Sequence, residues 1–248
     1  MFSDDEVERY ARHLVLRELG GPGQQKLSRA SVLVVGAGGL GSPAALYLAA
    51  AGVGTIGLVD HDTVALSNLQ RQVLYTTDDV GAPKVTAGAD RLQALNPESD
   101  VRTHELKLDG RNATGLVAAY DLVLDGVDDF ETRFAVNAAC VAAGRTLVSG
   151  AVARWSGQVG VFAGRPCYRC LVPDSPPAAE TCAVVGVVGA LTGVVGAMMA
   201  MEAIKLIAGA GESLLGRLMI YDGLAGTAHT ARVAADPACP VCGPGAAA

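Results

Sequence analysis

The stretch from Ser31 to Asp60 constrains the fold more than any other part of the chain. An apolar run, Val32 to Val35, ends in Gly36-Ala37-Gly38-Gly39-Leu40-Gly41. An Ala- and Leu-rich segment follows, then a second apolar run, Ile56 to Val59, closed by Asp60. The pattern reads as strand, glycine turn, helix, strand. Glycines at 36, 38, 39 and 41 let the backbone turn tightly and approach a phosphate closely. The helix start then presents free N–H groups and the positive end of its dipole to an anion. Asp60 can accept hydrogen bonds from ribose hydroxyls. A Gly-x-Gly-x-x-Gly alone is a weak signal. With flanking strands and an acid about 20 residues on, a nucleotide site becomes the preferred reading, though which nucleotide is left open.

Length and composition bound the rest. The 248 residues suit one large α/β domain or two small ones and are ample for a core. Half the residues are hydrophobic, only 4% are aromatic, and 31 are glycine, as expected of helices packed closely on a parallel sheet. The formal net charge is -6 with no lysine or arginine cluster, which argues against a nucleic-acid partner. The chain opens Met1-Phe2-Ser3-Asp4 without a basic-then-apolar leader, so a cytoplasmic, reducing compartment is expected. The segment Ala183 to Met201 carries no charge and is long enough to be weighed as a membrane span. Its glycines at 186, 189, 193 and 196 share one helix face, which equally seats a buried helix against a sheet or a second subunit. A span here would put cysteine pairs on opposite sides of a membrane, so no membrane is expected.

Taken in order, Ser3-x-x-Glu6 is a capping box, and Val7, Tyr10, Ala11 and Leu14 share one face of a short helix. Arg9, Arg12 and Arg17 read, from spacing alone, as a solvated face. Gly20-Gly21-Pro22-Gly23 is expected to break the helix, with another short one from Gln24 to Ser28. After Asp60, the polar run to Gln72 sits where open α/β sheets bind ligands. Arg71 and the neighbouring amide side chains are placed to meet nucleotide phosphates. Pro83 opens the next helix, and Lys84 would stand at its N-terminus, where the dipole disfavours a cation. Either an anionic ligand lies nearby or the lysine is simply exposed. Strands are expected over 101–108, 122–124, 146–148 and 158–162, and helices over 111–120 and 131–143. Asp125, Asp128 and Asp129 close one strand, and three such carboxylates repel unless a cation joins them; Mg²⁺ carried by nucleotide phosphates would suit.

Two Cys-x-x-Cys pairs, Cys167/Cys170 and Cys239/Cys242, are the usual provision for a tetrahedral Zn²⁺. Four thiolates leave no open position, so the metal would be a structural staple. Between the pairs, Val172 to Glu180 reads as a mobile loop delivering Cys182. Cys182 is either a bystander or a reactive thiol at a helix start; Cys140 reads as core.

Jointly, Arg9-Tyr10-Ala11-Arg12, Gly36 to Gly41, Leu66-Ser67-Asn68-Leu69-Gln70-Arg71-Gln72, Gly81-Ala82-Pro83-Lys84, Asp125-Gly126-Val127-Asp128, both cysteine pairs and Met201 to Lys205 resemble the MoeB/ThiF family, bacterial relatives of the ubiquitin-activating enzymes. The resemblance covers nearly the whole chain as a single unit: a helical arm over 1–30, a nucleotide-binding half over 31–150, and a carrier-binding and zinc half over 151–248. It implies a Rossmann-like, mostly parallel α/β sheet with added antiparallel strands in the second half. It implies ATP rather than NAD, and adenylation of the C-terminal glycine of a ubiquitin-like β-grasp sulfur carrier ending in Gly-Gly, for molybdopterin or thiamine biosynthesis or a related thiolation. By the same likeness Gly39 lies against the nucleotide and Asp60 holds the ribose. Ser67, Asn68, Leu69, Gln70, Arg71 and Lys84 form the phosphate end, and Asp128 holds Mg²⁺ beside Asp129. Arg12 reaches into the partner subunit's site of a homodimer, and Cys182 attacks the acyl adenylate or joins in sulfur transfer. Asp129 departs from the family, which has asparagine there. With no appended sulfurtransferase domain, sulfur is expected from a separate sulfurtransferase or cysteine desulfurase. The alternative, an NAD(P)-dependent Rossmann oxidoreductase, explains the glycine turn and Asp60 but leaves Arg71, Lys84, Asp128 and the cysteines unused.

Overall fold

The computed structural model describes residues 2–175 and 186–245. One eight-stranded sheet runs through both halves of the chain. Its strands are β1 (Ser31–Val35), β2 (Thr55–Val59), β3 (Asp100–His104), β4 (Leu122–Asp125), β5 (Thr146–Ala153), β6 (Ser156–Phe162), β7 (Arg217–Asp222) and β8 (Thr227–Arg232), in the spatial order β3-β2-β1-β4-β5-β6-β7-β8. From β3 to β5 the pairs are parallel; from β5 onward they are antiparallel. The switch follows from connection length. Crossover helices carry the chain between the first five strands, whereas β5, β6, β7 and β8 include two tight hairpins.

The apolar runs expected as strands are buried on both faces, and alternate residues feed two cores. Val32, Val34, Ile56 and Leu58 pack with α4 (Gly41–Ala50), α5 (Lys84–Leu95) and α8 (Gly189–Ala208). Leu33, Val35, Val59 and Val123 pack on the other face with α6 (Ala113–Ala118) and α7 (Phe130–Ala143). One face of α8 is interior: Leu191, Val195, Met199 and Ala203 are buried in the first core, whereas Val194 and Met201 are exposed. Gly189 and Gly196 are needed for close approach, since a Cβ there would meet Gln70 O at 2.1 Å and Leu40 O at 2.5 Å. Gly193 meets nothing, and Gly186 precedes the helix in the left-handed region (φ 75°), so the four glycines do not form one packing face.

The amino-terminal arm differs from expectation in two respects. The Ser3/Glu6 capping box forms, and α1 (Asp4–Arg9) is followed by α2 (Ala11–Leu14). Helix α2 ends at Leu14, well before the glycine run, and the run does not break a helix but begins α3 (Gly20–Arg29). Pro22 sits in the first turn of α3, where its missing N–H costs nothing. Gly23 lets Leu19 fold across that turn, since a Cβ would come within 2.8 Å of Leu19 Cδ1. Tyr10, 4% exposed, anchors the arm: its hydroxyl accepts from Asn96 Nδ2 at 2.9 Å, and Gly52 leaves room for its ring. Val7, expected on the same buried face, is 46% exposed.

Candidate adenylation site

The parallel strands end together at one edge of the sheet, and a cavity of about 470 Å³ opens there. That is the size of a small-ligand site and the edge at which such sheets bind nucleotides. The glycine turn forms its floor. Gly36 has φ 84°, and a Cβ on Gly41 would lie 1.8 Å from the Gly36 carbonyl oxygen, so only glycine closes this turn. Gly36, Gly38 and Gly39 line the cavity, while Gly41 lies buried beneath it. Gly41→Ala is expected to lower the melting temperature by roughly 2–12 °C, from an overpacking cost of about 1–3 kcal/mol. In Gly38→Ala the new methyl meets only the Gln72 amide, at 3.6 Å, and should leave melting unchanged. Equal melting of both variants with the parent would contradict this reading of the turn.

At the end of β2, Asp60 accepts from Ala37 N and from Asp62 N, each at 2.9 Å, one on each carboxylate oxygen. Each oxygen keeps a second lone-pair direction for a ribose hydroxyl. Lys84 is 5% exposed. Its Nζ donates to Asp62 Oδ2 at 2.9 Å and lies 3.9 Å from Asp60 Oδ2. The unfavourable position of a cation at a helix start is therefore offset within the chain, by two carboxylates, and not only by a ligand. In return the ammonium holds the Asp62 carboxyl below the usual carboxylate range. Arg71 also lines the cavity, its guanidinium anchored on the Ser67 carbonyl at 3.1 Å. Ser67, Asn68, Leu69 and Gln70 stand outside the lining. Asn68 instead accepts from Ala65 N and, through its carbonyl, from the amides of Arg71 and Gln72, so it shapes the turn that presents Arg71. Arg12 is exposed on α2, away from this chain's cavity.

The three aspartates after β4 have three different roles. Asp125 is fully buried and meets Arg133 Nη1 at 3.2 Å; it also accepts from Ser149 Oγ and Val127 N. Burial pushes its carboxyl up, and the Arg133 charge works against that rise. Asp129 caps α7, accepting from Thr132 N at 2.8 Å. Aspartate and asparagine are equally good N-caps, so this position tolerates either. Asp128 lines the cavity and has no hydrogen-bond or ion-pair partner among the described residues. The expectation that one cation would join all three carboxylates is thus corrected: Arg133 takes Asp125, a helix start takes Asp129, and Asp128 alone is free. The sequence reading missed Arg133, although it follows the cap by one helical turn and so shares its face.

Behind the cavity, Cys167, Cys170, Cys239 and Cys242 converge, with all four sulfurs within 4.8 Å of one another. The Cys167–Cys239 and Cys170–Cys242 sulfurs are 3.6 and 3.4 Å apart. A tetrahedron with Zn–S bonds of about 2.3 Å has edges of about 3.8 Å, so the set fits zinc. Asn137 on α7 donates to Cys167 Sγ at 3.5 Å and accepts from Tyr168 N at 2.8 Å, an outer contact that orients a ligand loop. Cys140 is buried, and desolvation pushes its thiol up to about 12, consistent with a core residue. Cys182 and residues 176–180 lie outside the described residues.

The sequence profile of the ThiF family matches residues 10–241. The chain belongs to the ThiF family. It is 48% identical over 251 residues to a sulfur carrier protein adenylyltransferase from Thermus thermophilus, covering 98% of this chain and 93% of that protein. It is 50% identical over 246 residues to a probable adenylyltransferase/sulfurtransferase MoeZ from Mycobacterium tuberculosis, covering 96% of this chain but only 63% of MoeZ. Among solved structures, E. coli MccB crystallised with ATP superposes with a TM-score of 0.76 at 26% identity, over 90% of this chain and 68% of that one. A likeness of that kind, with a parallel sheet continued by antiparallel strands, confirms the expected ThiF-type fold.

Proposed function

We propose that this ThiF-family chain is an ATP-dependent adenylyltransferase that activates the C-terminal glycine of a ubiquitin-like sulfur carrier. The observation that carries the reading is the sorting of charges in the cavity. Arg71 and Lys84 share its wall with Asp128, the one carboxylate of the described lining without a partner, around a glycine turn built for close approach to phosphate. The similarity to a named sulfur carrier protein adenylyltransferase over almost the full length of both chains supports the same substrate class.

In the reaction, an oxygen of the carrier's terminal carboxylate attacks the α-phosphorus of ATP. The bond from that phosphorus to the bridging oxygen breaks, and pyrophosphate leaves with the electron pair. Two anions must approach, so the protein's task is charge neutralisation and alignment rather than covalent chemistry. Arg71 and Lys84 supply fixed positive charge at the phosphates. Asp60 accepts from the ribose, and the glycine turn brings backbone N–H groups to the anion. Asp128 is the residue that would hold Mg²⁺, which supplies charge to the phosphate oxygens when bound. Arg12, on the outer side of the arm, is assigned to the site of a second subunit in a homodimer. The four cysteines are assigned to structural Zn²⁺, and Cys182 to the sulfur-transfer step, with sulfur coming from a separate donor protein.

A hydride-transfer reading is less well served. It leaves the convergence of Arg71, Lys84 and Asp128 on one cavity unused. The test is ATP–pyrophosphate exchange with a carrier ending in Gly-Gly. Exchange should require the carrier and vanish when its last glycine is removed. Exchange that ignores the carrier's end, or no exchange with any such carrier, would overturn the assignment.

A further inference from the structure

Two cations are buried among the described residues, Lys84 and Arg133, and only Lys84 has a place in the chemistry above. Arg133 Nη1 donates to Ser149 Oγ at 2.7 Å and lies 3.2 Å from Asp125 Oδ2. Nη2 donates to the carbonyl oxygens of Val127 and Gly150. The guanidinium stands 5.4 Å from the centre of the Tyr168 ring. One planar fork therefore ties the end of β4, the turn after it and the middle of β5 to the first turns of α7. Val127 immediately precedes Asp128, and Asp129 immediately follows it, fixed on Thr132 N. The backbone on both sides of Asp128 is thus clamped to α7, while the Asp128 side chain itself has no partner among the described residues.

We propose that Arg133 is a positioning residue for adenylation: through the Val127 carbonyl it fixes how Asp128 is presented to the nucleotide and its metal. The proposal rests on the role given to Asp128 above. A buried ion pair with Asp125 would need only a charge, and lysine would supply it. Gripping two carbonyls, a hydroxyl and a carboxylate at once needs the rigid guanidinium fork. An aspartate displaced by about 1 Å would cost up to roughly 100-fold in rate without any loss of a cavity residue.

Arg133→Lys separates these roles, because it keeps a cation beside Asp125 and gives up the fork. Two readouts are needed. Mn²⁺ binding in the presence of a non-hydrolysable ATP analogue, followed by electron paramagnetic resonance, should weaken about tenfold. Carrier-dependent pyrophosphate exchange should fall roughly 10- to 100-fold. Placed on an Asp128→Ala background, Arg133→Lys should slow exchange no further, since residues acting through one another are non-additive. If Arg133→Lys fails to fold, the doubly neutral Asp125→Asn/Arg133→Gln protein carries the same readouts. Parent-like Mn²⁺ binding together with parent-like exchange would overturn the proposal. So would an equal further slowing of the Asp128→Ala protein, which would mark Arg133 as structural only. If the parent protein binds the Mn²⁺–analogue pair but exchanges with no carrier, the functional assignment fails instead, and the binding comparison still decides the role of Arg133.

Discussion

An Asp128→Ala protein is expected to lose carrier-dependent pyrophosphate exchange by roughly 10²- to 10³-fold, the scale seen when one fixed electrostatic contact to a transition state is removed. It should melt within a few degrees of the parent. Asp128 is exposed and unpartnered among the described residues, so its removal leaves no buried group unsatisfied. Asp125, three residues earlier, should behave in the opposite way. Its carboxylate is fully buried against Arg133 and Ser149. Asp125→Ala would strand the Arg133 charge, a loss of about 3–5 kcal/mol when one partner of a buried pair is removed. Melting curves and exchange rates of the two variants check the contrast. Full exchange by Asp128→Ala would refute its assignment to the metal and phosphates.

Removing metal from the cysteine set is expected to lower the melting temperature by roughly 10 °C. Cys167 and Cys239 are 72 residues apart in sequence. A cross-link closing a loop of that size restricts the unfolded chain by about 4 kcal/mol, and each kcal/mol moves the midpoint of a chain this long by about 2–4 °C. ATP binding should persist below the new midpoint, because the glycine turn, Asp60, Arg71, Lys84 and Asp128 come from other elements. The check is differential scanning calorimetry before and after chelation, with zinc content measured in the same sample. Complete loss of zinc without a change in melting would remove the staple from the account.

What was legible in the sequence was whatever depends on fixed local spacing. The glycine turn needs its glycines two and three residues apart, and each metal-binding knuckle needs its two cysteines three apart. Both chemistries are therefore written in short windows. The strands flanking the turn were equally clear, because burial on both faces demands unbroken apolar runs. The partnerships that decide which charges remain free were not legible. Lys84 meets Asp62 across 22 residues and Arg133 reaches Ser149 across 16, distances over which no spacing rule operates. Three aspartates in five residues look alike until the fold buries one, caps a helix with another and leaves the third to the cavity. The glycine run at 20–23 resembles a break because proline and glycine oppose helix interiors, yet it serves as a helix start, where neither is penalised. Strands β7 and β8 gave little signal, since every residue of β8 is exposed and lacks an apolar alternation.

Hydroxylamine trapping tests the central claim most directly. The carrier, ATP and Mg²⁺ are incubated with the protein, hydroxylamine is added, and the carrier's mass is measured intact. An acyl adenylate would react to give a C-terminal hydroxamate and AMP in equal amounts, and the account predicts this product only when ATP, protein and the terminal glycine are all present. An unmodified carrier under those conditions, with ATP untouched or cleaved to ADP, would contradict it.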